Sequence, residues 1–483
     1  MKKPKNIFIF LALLFLFTRL YNLTLLPIFT DESIYLFWAK FIATHHSNWF
    51  MSLTDGKPPL FIWIITIFLK IFPSSMYLFA GRFVSVFAGG VALVGIYKLS
   101  IFLFKSKKTG VIAVLLGILS PFMLFHDRMA LFDSFLSATL IWSVYFAFRS
   151  STFEKKKDVF LWGLFLGLGL LIKSPAIIFL FLTPICFFML AYKKNANFKK
   201  LFLLPFFPIA IAWIMYSIQK LSVNYRLVDI KNQQFQLPLE KLISEPFVLF
   251  FSNMKELLNW IIAYYTFPIF LIGILGLVFL LWKDFRKGLI LLLLWIFPII
   301  IFAFVGKILF PRYILFTTPY FIIACAEIIR RLNFNKVIII IILLLSLQFD
   351  FYLLTKPELA PLPTVDHNQY VSSQYSGYGL NSIFKFLDKE LDTGPRITLV
   401  TQGKFGLFPY AFMLKYWNDS RITIIQSWIP EHMEYNLQAL QQSAKVYVVF
   451  KDTETVPAGF SLRLVTKGEK PGGKYPILLT TLK

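Results

Sequence analysis

The sequence predicts an all-α polytopic membrane protein with a small α/β domain at its C-terminal end. Hydrophobic residues make up 57% of its 483 residues and charged residues only 15%, and this is more apolar surface than a soluble domain buries. Apolar runs of spanning length alternate with short Lys and Arg clusters up to residue 354. Pro357, Pro361 and Pro363 then mark a linker, after which the composition changes. We therefore expect a transmembrane domain over 1–354 and an extracytoplasmic domain over 355–483.

The positions of the basic residues predict how the membrane segments are oriented. The formal net charge is +24, but the basic residues fall in short clusters between apolar runs, as in cytoplasmic loops that face anionic lipid. A nucleic-acid-binding protein would instead collect them on one face, so no nucleic-acid partner is predicted. Lys2, Lys3 and Lys5 place the N-terminus in the cytoplasm, and the first run carries no small-x-small cleavage site, so we expect an uncleaved first helix.

Counting crossings between clusters gives about eleven transmembrane helices in the plasma membrane, with membrane lipid around them and the C-terminal domain outside. The runs are 7–26, 81–104, 110–125, 131–149, 158–173, 174–192, 201–220, 258–282, 288–305, 311–329 and 337–354. A shorter stretch, 59–72, carries Lys70 and stops at Pro73. We expect it to lie along the outer interface, within an outer loop over 27–80 that holds juxtamembrane helices. The polar loop 221–257 is predicted to be external and is assigned no chemistry.

The C-terminal region alternates strand and helix patterns. Strand-like ITLVTQG, RITIIQS and KVYVVF are separated by helical patterns at 383–391, 410–417 and 431–444, which predicts an α/β domain with a partly parallel sheet. GKFG at 403–406 follows the first strand as a phosphate loop would. It completes no nucleotide fingerprint, so a tight turn is the favoured interpretation.

Two adjacent carboxylates, Asp31 and Glu32 in FTDESIY, follow the first apolar run. They are either catalytic or part of a helix N-terminus in which Thr30 or Asp31 is the cap and the acids are favoured in the first turn. A cap position would also fix a catalytic carboxylate rigidly. Ionisable groups at membrane depth are costly enough to indicate function. The crossing count places the following on or near the outer face: Asp31, Glu32, Lys57, Arg82, His126, Asp127, Arg128, Asp133, Lys173, Lys307 and Arg312. Alone, an arginine or lysine such as Arg82 or Lys307 more often anchors a helix.

A sugar carried on a polyprenyl phosphate would need an apolar groove, cations for the phosphate and a base for the incoming hydroxyl. We predict Asp31 as that base, with Glu32 in support. Cations can stabilise the leaving phosphate without a metal, and the candidates are Lys57, Lys173 and Arg312, with Arg82 and Arg128 behind them. His126, Asp127, Arg128 and Asp133 either organise the acceptor or form a structural ion network.

No metal site is predicted. His45 and His46 are adjacent, so their side chains do not share a helix face, and no Cys or carboxylate follows at ligand spacing. No cofactor is required for the expected chemistry, and a divalent cation is not indicated.

Six segments, taken in order, resemble one known family. PIFTDESIY, GKPPLFIW, GRFVSVFAGG, HDRMALFDSFL, GLGLLIKSP and PRYILFTTPYF are similar to the bacterial branch of the dolichyl-phosphate-mannose protein mannosyltransferase superfamily, which includes the aminoarabinose transferases that modify lipid A. The resemblance covers 1–354. It implies the membrane-embedded GT-C fold, a polyprenyl-phosphate sugar donor and an inverting mechanism.

The same resemblance assigns individual roles. Asp31 takes the place of the catalytic aspartate and Lys57 that of the lysine in the KP motif. Lys173 resembles the lysine of the GLxxLxKxP motif, and Arg312 the arginine of the RY motif. The chain departs from the aminoarabinose transferases in its fewer spans and its C-terminal domain, and it lacks the large luminal insertion of the eukaryotic enzymes. The acceptor is therefore left open as a lipid, a glycan or a protein.

Two other classes of function fit a polytopic basic protein. A transporter or flippase of lipid-linked sugars should place ionisable or broken-helix sites near the midplane and show related halves. A structural membrane protein would explain the spans but not the charged outer face. The charges gather at one face and no internal repeat is visible, so the enzyme is favoured.

Overall fold

A computed structural model describes residues 4–191, 198–332, 336–394, 396–427, 437, 445–457 and 461–482. The predicted helix at 431–444 lies almost entirely outside these residues. The chain forms two compact units. The membrane unit comprises Met1–Leu23, Ser47–Ile64 and Arg82–Lys356, and the sheet unit comprises Thr24–His46, Ile65–Gly81 and Pro357–Lys483.

The α-helices of the described residues follow one another along nearly the whole chain. In order they are α1 Pro4–Leu20, α2 Thr30–His45, α3 Leu60–Ile71, α4 Tyr77–Phe104, α5 Lys107–Ile118, α6 Pro121–Asp127, α7 Phe132–Ser150, α8 Lys156–Ile172, α9 Ile177–Ala191, α10 Phe198–Leu203, α11 Phe206–Ser217, α12 Arg226–Phe235, α13 Leu239–Ser244, α14 Phe250–Tyr265, α15 Phe267–Lys283, α16 Phe285–Val305, α17 Thr318–Leu332, α18 Lys336–Thr355, α19 Thr364–His367, α20 Leu380–Thr393 and α21 Leu407–Tyr416. Short 3-10 turns include Met51–Asp55, Ser174–Ala176 and Pro311–Thr317.

Several of these helices are able to cross a membrane, and the protein is a multi-pass membrane protein. Within the described residues, five are long and apolar enough to span: Ser74–Phe104, Ser174–Ala191, Leu201–Leu221, Phe285–Val305 and Pro311–Leu332. The number becomes seven if two bent pairs, α5 with α6 and α14 with α15, each make one span. Three shorter apolar helices accompany them, one of which is α3. The count of eleven and the interfacial position of 59–72 stay predictions.

The apolar run 258–282 is not one straight helix. Helices α14 and α15 are bent by 108° at Thr266, whose φ is 61°. Pro268 lies in the first turn of α15, where it has no N–H to donate to the preceding turn, so a continuous helix is interrupted there. Hydropathy alone does not show this break because apolar residues continue on both sides of it.

The sheet unit holds a five-stranded sheet in the order β2-β1-β3-β5-β4. Its strands are β1 Ile397–Gln402, β2 Ile422–Ser427, β3 Lys445–Phe450, β4 Leu462–Gly468 and β5 Ile477–Leu482. Strands β1, β2 and β3 are parallel, whereas β5 is antiparallel to both β3 and β4. The three predicted strands and the partly parallel sheet are confirmed. Strands β4 and β5 were not predicted. Polar residues interrupt the apolar pattern of β4, LRLVTKG.

Helix α2 belongs to the sheet unit rather than to the membrane unit that precedes and follows it. The backbone N–H and the hydroxyl of Thr30 donate to the carbonyl of Tyr375 at 3.1 and 2.8 Å. Lys40 donates to the carbonyls of Met413 and Leu414 at 3.4 and 2.9 Å, near the end of α21, where helical carbonyls lack partners. Burial lowers the pKa of Lys40 to about 8. Part of the outer loop assigned to 1–354 thus folds with the C-terminal residues.

Candidate active site

A cavity of about 100 Å³ in the membrane unit is lined by two of the predicted cations, Lys57 and Lys173. Lys57 follows the 3-10 turn Met51–Asp55, which Gly56 closes at a φ of 69°. Lys173 follows the last residue of α8 in an extended conformation, before Ser174 and Pro175 start a new turn. Each lysine therefore stands at a break between helices, where its side chain is not confined to a helix face.

The cavity concentrates positive charge. Lys173 Nζ donates to Asp133 Oδ1 at 2.6 Å and lies 4.2 Å from the ring centroid of Tyr313. The charges of Lys57 and Arg312 also act on Lys173, and the side chain of Arg312 is only 6% exposed. Three cations with one carboxylate leave an excess of positive charge, which suits an anionic ligand such as a phosphate. We call Lys57, Asp133, Lys173 and Arg312 the cavity cluster.

Aromatic rings position these cations. Lys57 Nζ lies 5.1 Å from the ring centroid of Phe235, and the guanidinium of Arg312 lies 4.6 Å from that of Phe310. Ring faces attract cations, and they do so more strongly where water is excluded. The rings therefore limit the positions of the charged groups without neutralising them.

A second group of charged side chains in the membrane unit is bonded to other groups of the protein. Arg19 pairs with Asp127 at 3.2 Å, and both side chains are buried. Asp127 also accepts a hydrogen bond from Ser134 Oγ at 2.8 Å. A Cβ added at Gly89 would lie 2.5 Å from the Asp127 carboxyl group, so this glycine allows α4 to approach the ion pair.

Arg82 and Arg128 hold the end of α1. Arg128 donates to the carbonyls of Thr18, Arg19, Tyr21 and Asn22 at 2.9, 3.0, 2.8 and 2.8 Å. Arg82 donates to the carbonyl of Leu23 at 2.9 Å. The last carbonyls of a helix have no partner within it, so these arginines supply donors to carbonyls at and just after the end of α1. We call Arg19, Arg82, Asp127 and Arg128 the anchor cluster.

The HDRMALFD segment therefore divides between the two clusters. Asp127 and Arg128 belong to the anchor cluster, whereas Asp133 pairs with Lys173. His126 is buried, and its Nδ1 lies 3.0 Å from the carbonyl of Phe122. The charges of Asp133, Lys173 and Arg312 act on His126, and its Nε2 has no hydrogen-bond partner among the described residues. His126 thus lies beside the cavity cluster with one ring nitrogen available.

The two carboxylates at the start of α2, in the sheet unit, differ in their surroundings. Glu32 is fully buried, and its carboxylate accepts the N–H of Phe29, the N-cap residue, at 3.0 Å. The cap alternative names Thr30 or Asp31 as the capping residue, and neither occupies that position. Asp31 is partly exposed in the same first turn. The first turn of α2 holds both acids, as the cap alternative predicts, but the capping contact is made by Glu32, which thereby fixes the turn that carries Asp31.

Comparison with known proteins places this arrangement in a known architecture. Over 99% of its length the chain superimposes on 98% of the crystal structure of ArnT from Cupriavidus metallidurans bound to undecaprenyl phosphate, with a TM-score of 0.61 and 12% identity. For the apo crystal structure of the same protein the TM-score is 0.59 and the identity 13%, over 98% of this chain and 96% of that one. The chain has the ArnT fold.

Sequence comparison agrees with the ArnT fold. Residues 56–218 match the family model described as dolichyl-phosphate-mannose-protein mannosyltransferase, and this range contains Lys57, Asp133 and Lys173. No curated protein matches the sequence. The resemblance inferred from the six motifs, and the GT-C architecture that it implied, are confirmed.

Within the ArnT fold, the loop that had been assigned no chemistry contributes to the cavity. Phe235 and Gln236 line it together with Gly306. Backbone hydrogen bonds join the two segments: the N–H of Lys307 donates to the carbonyl of Phe235 at 2.9 Å, and that of Leu237 to Val305 at 2.8 Å. Lys307 Nζ donates to the carbonyl of Gln233 at 2.9 Å, as an anchoring lysine would. The one sequence signal for this role was an aromatic residue within a polar run.

Metal ligation finds no support in the part of the ArnT fold that the structure describes. Among those residues there is no group of three or more His, Cys, Asp or Glu side chains that could hold a metal ion. Lys70 Nζ lies 3.4 Å from His46 Nδ1, and His45 contacts Thr44. The two histidines thus have neighbours other than acidic residues. That no metal is required stays a prediction.

Proposed function

We propose that this protein is a membrane glycosyltransferase that moves a sugar from a polyprenyl-phosphate donor to an extracytoplasmic acceptor. The observation that carries the proposal is the cavity cluster, in which Lys57 and Lys173 line one cavity and Arg312 is close enough to act on Lys173. The family-model match and the fold of an ArnT crystallised with undecaprenyl phosphate support the same donor class.

The phosphate of the donor is the ligand that we assign to the cavity cluster. Transfer breaks the bond between the anomeric carbon and the phosphate oxygen, and the electron pair stays on that oxygen. Fixed cations stabilise the charge that develops there. Because Asp133 and the rings of Tyr313 and Phe235 already hold the two lysines, little side-chain freedom is lost when the phosphate binds.

Asp31 is proposed as the general base of an inverting reaction. An acceptor hydroxyl attacks the anomeric carbon opposite the phosphate, its oxygen forms the new glycosidic bond, and its proton passes to the Asp31 carboxylate. Glu32 acts through the helix cap by fixing the first turn of α2. We assign His126, beside the cavity cluster, a supporting role toward the donor. The N-terminus is proposed to be cytoplasmic and the sheet unit extracytoplasmic.

The test is transfer by purified protein in detergent, with a radiolabelled polyprenyl-phosphate sugar and a crude envelope extract as acceptor. We expect Asp31→Asn to lower the transfer rate about 100-fold or more, as expected when a general base is lost, with donor binding unchanged. Lys287→Gln is the control, because Lys287 pairs with Asp284 at 2.5 Å in a partly exposed contact away from both clusters. Transfer by Asp31→Asn at the wild-type rate would show that Asp31 is not the base.

One observation favours the second candidate function, a transporter or flippase of lipid-linked sugars. The bends of 61° between α5 and α6 and of 108° between α14 and α15 resemble the broken helices that transporters use at their binding sites. Proteoliposomes loaded with a labelled polyprenyl-phosphate sugar distinguish the two functions. Accelerated movement of the donor between leaflets without any transfer would favour the transporter.

A further inference from the structure

The sheet unit contains a topological switch point that the proposed reaction has not used. Strand β1 lies between β2 and β3, and all three are parallel. The chain passes from β1 to β2 on one side and then to β3 on the other, so its direction of winding reverses at β1. In open α/β sheets, ligands bind outside the carboxyl ends of the strands at such a switch point.

The carboxyl ends of β1 and β3 are joined by a side chain. Gln402, the last residue of β1, accepts the N–H of Lys451, which directly follows β3, at 2.9 Å. The GKFG loop continues from Gln402 with Gly403 at a φ of 94° and Gly406 at a φ of 115°, conformations that favour glycine. Lys404 is exposed in this loop, so Lys404 and Lys451 both stand at the same edge.

A third lysine lies buried near this edge. Lys470 is only 4% exposed, and its Nζ donates to the carbonyl of Ser373 at 2.8 Å. Burial and the charge of Lys451 lower the pKa of Lys470 to about 7. Of the acids next to these lysines in the sequence, Glu469 pairs with Lys467 at 2.9 Å, and the exposed Asp452 acts on Lys451.

An ammonium group buried without a carboxylate is unfavourable, and a second lysine beside it makes it more so. A bound anion would supply both the missing charge and further hydrogen-bond acceptors. Thr453 Oγ1, two residues after Lys451, is also buried and has no hydrogen-bond partner among the described residues. A hydroxyl group is a natural donor to an oxyanion.

This edge adjoins the turn that carries Asp31. Ser33 Oγ lies 3.4 Å from the carbonyl oxygen of Gly406, the last glycine of the GKFG loop. On the other side, Phe29 forms a β-bridge with Ser376, three residues from Ser373, which accepts the hydrogen bond of Lys470. The first turn of α2 is therefore flanked by the GKFG loop and by the segment to which Lys470 binds.

We infer that Lys451 and Lys470, with the GKFG loop and the Thr453 hydroxyl, bind an anionic group of the acceptor, a phosphate or a carboxylate, beside Asp31. The inference rests on the proposed function, since it assigns the acceptor to the edge that adjoins the proposed base. The ammonium groups would pair with the oxyanion, and Thr453 would donate a hydrogen bond to it. An acceptor without an anionic group would lose these contacts and bind weakly.

Binding without turnover is tested first, on the full chain in detergent, with inorganic phosphate and malonate as separate probes. We expect one of them to raise the melting temperature of the wild type and to lose at least half of that effect in Lys451→Gln and Lys470→Met. Lys470→Arg should keep the rise in melting temperature, because arginine keeps the positive charge. Lys445→Gln is the matched control, because Lys445 begins the same strand β3 at its other end and pairs with Glu390. Equal responses in all variants would overturn the inference.

Turnover then separates this inference from the proposed function. In the transfer assay we expect Lys451→Gln to raise the KM for the acceptor about tenfold, with donor binding and kcat unchanged. Lys451 is only partly buried, so this variant remains informative if Lys470→Met fails to fold. An unchanged acceptor KM in Lys451→Gln overturns the acceptor site alone. A wild-type protein that binds no polyprenyl-phosphate donor overturns the proposed function instead.

Discussion

The cavity cluster and the anchor cluster contain the same kinds of residue in the same unit, yet their partners differ. In the anchor cluster Arg19 pairs with Asp127, and Arg128 is bound to four backbone carbonyls. In the cavity cluster Lys173 has one carboxylate, and its other charged neighbours are cations. Charge at membrane depth thus has two uses. Arginines whose N–H groups are bound by a carboxylate or by backbone carbonyls hold helices together, whereas cations beside a cavity suit an anionic ligand.

The largest effect is expected from the anchor cluster. Arg19→Met leaves the Asp127 carboxylate buried without its partner, and breaking a buried pair in this way costs about 3–5 kcal/mol. We expect a sharp loss of folded protein and a lower melting temperature in detergent. The double variant Arg19→Met with Asp127→Asn removes both charges and should recover much of this loss. Equal losses of folded protein in the single and double variants would show that the broken ion pair does not cause the loss of stability.

Substitutions in the cavity cluster should weaken donor binding more than they lower stability. We expect Lys173→Met and Arg312→Met each to weaken binding of a labelled polyprenyl-phosphate sugar about tenfold or more, because a desolvated phosphate loses a charged partner. The melting temperature should fall much less than in Arg19→Met. Lys287→Gln again serves as the control. Unchanged donor affinity in both variants would show that Lys173 and Arg312 do not bind the donor. The two clusters would then not differ in function as proposed.

Much of this contrast was not accessible from the sequence. Local patterns predicted the apolar runs, the strands β1 to β3 and the residue types of the site. They did not predict that Arg128 binds the end of α1, because its partners are backbone carbonyls, which are the same in every residue type. Likewise Thr30 and Tyr375, whose contact ties α2 to the sheet unit, are 345 positions apart.

The residues that line the cavity were also only partly predictable from the sequence. Lys57 and Lys173 were selected by the chemistry of a phosphate and by motif resemblance. Phe235 and Gln236 were passed over, because they reach the cavity only through backbone pairing with the segment around Gly306. Pairing between distant segments depends on tertiary contacts rather than on local periodicity. The bend at Thr266 had a local signal, Pro268, but the apolar run on both sides of it favoured one helix.

A smaller effect tests the close packing of the anchor cluster. Gly89→Ala would place a methyl group 2.5 Å from the Asp127 carboxyl group, and overpacking of this kind costs about 1–3 kcal/mol. Gly90→Ala is the matched control, because the nearest neighbours of its methyl group would be ring atoms of Phe15 at 3.4 Å. We expect Gly89→Ala to lower the melting temperature more than Gly90→Ala, with donor affinity unchanged in the protein that folds. Equal shifts in the two variants would show that the approach of α4 to Asp127 is not tightly constrained.

The smallest effect is expected from metal removal. If Lys57, Lys173 and Arg312 balance the charge of the donor phosphate, chelation by EDTA should leave donor binding and transfer unchanged within error. A loss of donor binding in EDTA that Mg²⁺ or Mn²⁺ restores would mean that the cations of the cavity are insufficient. The excess of positive charge beside Lys173 would then require another explanation, since a bound divalent cation would add to the repulsion among these residues.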